Sequence, residues 1–96
     1  MPYIDDDTRL PFEDAIDDIV ATILEETTST SRSGMLNYVI TSLIAQLLDA
    51  EGTTYNRLNT YVGVLECAKL ELYRRMAAPY EDKKKHVNGD VYRPQV

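Results

Sequence analysis

Leu36, Val39, Ile40, Leu43, Ile44, Leu47 and Leu48 recur at intervals of three and four residues. That spacing follows the period of an amphipathic helix and excludes a strand, whose side chains change face at every residue. It predicts a helix over about 35–50. Ser31 or Ser33 can cap its start, and Gly52 stands where a left-handed residue would end it. Two other stripes share the period. Phe12, Ile16, Ile19, Val20, Ile23 and Leu24 predict a first helix over about 11–26, with Pro11 in the first turn, where a missing N–H is harmless. Glu13, Asp14, Asp17 and Asp18 lie toward the N-terminal end, which the helix dipole makes favourable for acids. Leu58, Val62, Leu65, Leu72 and Met76, widened by Tyr61, Val64 and Ala68, predict a third helix over about 55–78 with Thr54 as its N-cap. The fold class is all-α: a three-helix bundle over 11–26, 35–50 and 55–78, in one helical domain covering 1–96.

The segments between and after the stripes complete this reading. TTSTSRSG, 27–34, has no periodicity and reads as a polar connector. Gly63 lies inside the third helix, where glycine costs about 1 kcal/mol relative to alanine. Close contact with another helix across Gly63, Cys67 and Ala68 would offset that cost and bury Cys67 as a small apolar residue. Pro79 kinks or ends the long helix near Ala78 and starts a short C-terminal helix, Tyr80 to Val87. Asn88-Gly89 closes it, and Asp90 to Val96 forms an extended tail.

Ninety-six residues suit one domain. A chain this short buries roughly 60–65% of its unfolded surface, so stability is marginal and a homo-oligomer would help. No apolar run is long enough to span a membrane. MPYIDDDTR lacks the basic and apolar regions of a signal peptide, and a single cysteine suits a reducing compartment. The expected location is the cytoplasm, with no membrane partner. The net charge of −6 argues against long nucleic acid. Its distribution is uneven. Residues 1–26 hold nine acids and one arginine (−8), residues 27–52 hold two acids and one arginine (−1), and residues 53–96 hold eight Lys/Arg and five acids (+3). Acidic head and basic tail can attract each other within a chain or between copies.

LNYVIT (36–41), YVGVLECAKLELYRR (61–75) and APYEDKKKHVNGDVY (78–92) resemble a family of small uncharacterised proteins of tailed phages and bacterial genomes. The likeness covers about 36–92 and departs at KKKHVNGD, 83–90, where a more polar or acidic residue is expected near His86 or Val87. It implies no activity. It implies an accessory protein of a phage or mobile element working in a host bacterial cytoplasm.

Arg74, Arg75, Tyr80, Lys83, Lys84, Lys85 and Tyr92 form the candidate ligand site. Guanidinium forks and ammonium groups bind phosphate, and tyrosine rings offer a surface for a base to stack on. A competing role is an arm whose lysines meet the acidic first helix, anchored by Tyr80 and Tyr92. No catalytic residue is expected: Cys67 and His86 are the only possible nucleophile–base pair, and nothing completes it. One histidine and one cysteine do not make a metal site, and Asp5, Asp6 and Asp7 lack the glycine and glutamate of a calcium loop. No glycine-rich phosphate loop or cofactor is expected. Glu66 and Lys69 read as an i,i+3 ion pair worth about 0.2–0.5 kcal/mol. An Asn37–Glu66–tyrosine network between the second and third helices is a further expectation. The function expected is a non-catalytic, oligomeric binding protein that occupies a host target or sequesters a small phosphorylated, nucleotide-like ligand. A purely structural assembly module is the alternative, and a small enzyme comes third.

Overall fold

The structure is a computed structural model that describes residues 2–26 and 29–93. All regular structure among these residues is helical: α1 (Asp6–Glu25), α2 (Ser29–Glu51), α3 (Tyr55–Leu72), a π-helical segment (Tyr73–Ala77) and α4 (Ala78–Asn88). The chain is all-α, and its three long helices carry the three apolar stripes, consistent with a helical bundle. Two compact units divide within α3, one comprising Pro2–Tyr61 and the other running from Val62 onward.

In the first unit, α1 starts at Asp6, ahead of the expected Pro11, because Asp5 is the stronger signal. The Asp5 carboxylate accepts from the Thr8 hydroxyl at 2.6 Å and from the Thr8 N–H at 2.9 Å. Those two bonds, the hydroxyl's first, hold its pKa below the ordinary aspartate value. Asp6 and Asp7 follow in the first turn, where the dipole favours acids. Pro11 therefore lies inside α1. The bond it forgoes would have gone to the carbonyl of Asp7, close to the open end of the helix.

The second helix is longer than its stripe. It begins at Ser29, so 29–34 are helical where a connector was expected, and Thr27 and Thr28 lie outside the described residues. Ser31 and Ser33 are inside α2 and do not cap it. Serine costs only about half a kcal/mol in a helix interior. The gain from continuing is packing: Ser31, Gly34, Met35, Tyr38 and Val39 line a groove shared with Asp18, Ile19, Thr22 and Ile23 of α1.

The end of α2 and the start of α3 form one hydrogen-bonded corner. Gly52 takes φ 92°, which favours glycine, and its N–H donates to the carbonyl of Leu48 at 2.7 Å. Arg57 Nη1 donates to the carbonyls of Glu51 and Gly52 at 2.8 and 3.0 Å. These are groups a helix end leaves unpaired. Thr54 caps α3 as its sequence position implies, its hydroxyl accepting from the Arg57 N–H at 3.2 Å. The Tyr61 hydroxyl donates to the Glu51 carboxylate, which also lies 3.8 Å from Arg57 Nε. The polar side-chain link from α2 to α3 in this unit is thus Glu51–Arg57–Tyr61. Asn37 accepts locally from the Thr41 hydroxyl at 3.0 Å, and Glu66 pairs locally with Lys69 at 3.2 Å.

No described residue is buried. Ile19, Ile23, Met35 and Val39 are half-buried in the groove between α1 and α2. Phe12, Ile16, Val20 and Leu24 remain 47–57% exposed. Full burial of such a side chain is worth about 1.5–3 kcal/mol, so a large part of what the stripes can contribute is not realised in the single chain.

In the second unit, Cys67 is exposed, against the expectation that it is buried. A Cβ placed on Gly63 would meet nothing within 4 Å. The small residues make a flat surface, but smallness does not supply the helix that would cover it. The α4 helix ends at Asn88, with Gly89 at φ 93° and its N–H donating to the carbonyl of Lys85 at 2.9 Å. This is the stop that Asn88-Gly89 implied. Tyr92 N–H then donates to Asp90 Oδ1 at 3.0 Å, an Asx turn in place of part of the expected extended tail; Pro94 to Val96 lie outside the described residues.

Three outcomes follow for urea unfolding. Gly63→Ala stabilises by about 1 kcal/mol, because it gains helix propensity without a clash; a loss would show that a neighbour occupies that surface. Gly52→Ala destabilises by about 1–2 kcal/mol, because a side chain is strained in the left-handed region. The third concerns pH. Tyr61 has its pKa raised above 10.0, first by the hydrogen bond to Glu51. A raised pKa favours the protonated form in the fold, so its contribution is complete below the ordinary tyrosine value and lost as pH rises through the folded one. The stability difference between the chain and Tyr61→Phe is therefore constant near neutrality and closes above about pH 10.

Candidate functional site

The basic C-terminal region is positioned by an irregular turn. Pro79 has no N–H, and in a regular α-helix its ring would press on the carbonyl of Arg75. The preceding segment Tyr73–Ala77 widens to a π turn, in which the Ala78 N–H donates to the carbonyl of Tyr73, and Pro79 falls in the first turn of α4. Such turns place side chains off the regular helical register. Arg74 and Arg75 both lie in this segment.

The seven candidate residues divide by environment. Arg74 closes on Glu71, with Nη2 at 3.0 Å from each carboxylate oxygen and Nε at 3.3 Å from one of them. Lys85 Nζ lies 3.7 Å from Asp82 Oδ1. Lys84 Nζ stands over the Tyr80 ring, 5.6 Å from its centroid. No carboxylate lies within ion-pair distance of Arg75 or Lys83 among the described residues. Arg75, Met76, Pro79, Tyr80 and Lys83 line one hollow of about 270 Å³. Lys84, Lys85 and Tyr92 line another of about 490 Å³ together with Tyr73, Ala77 and three acids, Glu81, Asp82 and Asp90.

The two hollows differ chemically. The smaller presents two cations, an aromatic ring and no acid, which suits an anion. The larger carries both signs and offers an anion no net attraction. Tyr92 is 85% exposed and Tyr80 58%, so neither anchors the tail by burial.

A more spacious open groove lies elsewhere, between α1 and α2, with a volume of about 640 Å³ and a mainly apolar lining. The sequence pattern does not reveal it, because Ser31 and Gly34 fall in a stretch that looks like a connector. Among the described residues there is no cluster of three or more His, Cys, Asp and Glu able to hold a metal, and no helix is long and apolar enough to cross a membrane. Cys67 is exposed on α3, and His86 lies in the last turn of α4.

An all-α chain with a short, cation-bearing helix after the π turn is thus the class that fold and site define. The chain belongs to the family described as Domain of unknown function (DUF6899), which matches residues 1–91. The match therefore takes in the acidic first helix as well as residues 36–91. No curated protein and no solved structure matches the chain.

Glu71→Gln loosens the Arg74 fork. Exposed ion pairs of this kind are worth under about 1 kcal/mol, so helix content followed by circular dichroism changes little.

Proposed function

We propose that the protein is a non-catalytic binding protein that takes a small phosphorylated, nucleotide-like ligand on its C-terminal helix. The observation that carries this reading is the hollow lined by Arg75, Tyr80 and Lys83, two cations with no acidic partner among the described residues, beside an exposed ring. Phosphate oxygens would take the guanidinium and ammonium groups, and a base would stack on Tyr80. Within the broader candidate set Arg74 and Lys85 are secondary, because each already faces a carboxylate. The same surface could instead meet phosphate-like acidic groups on a host protein. The resemblance to small phage and bacterial proteins supports a phage or mobile-element accessory role in a host cytoplasm. The half-exposed stripes support an oligomer.

One observation favours a second reading. The apolar side chains left exposed on all three long helices suit an assembly module with no ligand at all. Calorimetric titration with a nucleoside diphosphate and with inorganic phosphate at low salt separates the two. The ligand reading expects Arg75→Ala and Lys83→Ala each to weaken binding about tenfold, and Arg74→Ala to have a much smaller effect. No heat with any phosphorylated probe, while the oligomer persists, leaves only the assembly reading.

A further inference from the structure

Residues 33–48 contain no charged side chain, a run of sixteen that extends about 24 Å along α2. One side of this run faces α1 through Met35 and Val39. About a third of a turn away lie Leu36, Ile40, Leu43 and Leu47, which are 51%, 38%, 55% and 48% exposed. Their spacing of four, three and four is that of a coiled-coil seam. The run also carries Asn37, Thr41, Ser42 and Gln46, so it is uncharged rather than apolar all round; its four-residue apolar seam faces water in the single chain.

We infer that this seam of α2 is the docking surface for a second copy of the chain, packed antiparallel about a two-fold axis between Thr41 and Ser42. The seam is symmetric about that point. Antiparallel pairing sets Leu36 against Leu47 of the second copy and Ile40 against its Leu43, so every apolar residue meets another. Charge supports both the partner and the direction. An uncharged face gives a foreign partner no electrostatic handle, whereas homodimer interfaces are the more apolar kind. Pairing through α1 would set acids against acids. At the ends of the run, Arg32 precedes it and Asp49 and Glu51 follow it. The antiparallel arrangement brings these opposite charges level and opposes the helix dipoles, while a parallel one would stack like on like.

This inference rests on the oligomeric part of the reading above. It does not depend on ligand binding at α4, which can fail without affecting it. The test is disulfide trapping of the full chain in a Cys67→Ser background, with sedimentation to report size. The pair Leu36→Cys with Leu47→Cys is expected to give a covalent dimer, because the two positions meet between copies and lie three turns apart within one helix. Each single cysteine is expected to stay uncross-linked. Leu43→Lys is expected to weaken association about a hundredfold or more while helix content, read by circular dichroism, is kept. A chain that sediments as a monomer overturns the inference and shows the seam closed within the chain. Single cysteines that cross-link as readily as the pair overturn the antiparallel register. Leu43→Lys association equal to that of the parent chain shows that another face holds the oligomer.

Discussion

Short-range hydrogen bonds at helix ends carry this structure, while the helix sides stay partly in water. Asp5 starts α1 through Thr8, Gly52 and Arg57 close α2, Thr54 opens α3 and Gly89 stops α4. Each satisfies backbone groups that a helix terminus would otherwise leave unpaired. The Glu51–Arg57–Tyr61 corner does most. It terminates one helix and begins the next within the same few residues, so the direction change from α2 to α3 is set by local bonding. Helices held mainly this way are marginal in water unless an apolar face is covered. That need explains why the uncovered stripes matter more than any polar contact.

Proline and acid–base pairing shape the C-terminal region. Pro79 follows directly on the widened turn at Tyr73–Ala77, and that turn carries the two arginines. Glu71 and Asp82 then take up Arg74 and Lys85, while Lys84 stands over the Tyr80 ring and no carboxylate among the described residues pairs with Arg75 or Lys83. Clustered positive charge along a sequence is therefore a poor count of available positive charge, because i,i+3 neighbours neutralise part of it.

The same economy holds for charge across the whole chain. Acids crowd α1, cations gather toward α4, and the middle of α2 has neither. Like charges discourage contact through α1, and the middle of α2 has no charge to hold its apolar seam in solvent. The self-association surface and the anion surface proposed above would therefore lie on separate helices.

The stripes were legible because helical period depends only on which residues are apolar, and Thr54, Gly52 and Gly89 announced their roles through backbone chemistry that no distant contact alters. Helix capping was readable in the Asp5–Asp7 run, but not that Asp5 accepts from Thr8 and so starts the helix ahead of Pro11. The helical state of 29–34 was hidden altogether, since serine and glycine there follow no period and are held by packing against Ile19 and Ile23. Glu71 and Arg74 have the spacing that marks Glu66 and Lys69 as a pair, but closure of the fork on both oxygens depends on rotamers. Sequence alone determined an all-α chain, its polarised charge and most of its helix ends, because those follow from local physics. Tertiary structure decided which side of the first two stripes is half-covered and which cations meet a carboxylate, because both depend on where neighbouring side chains come to rest in space.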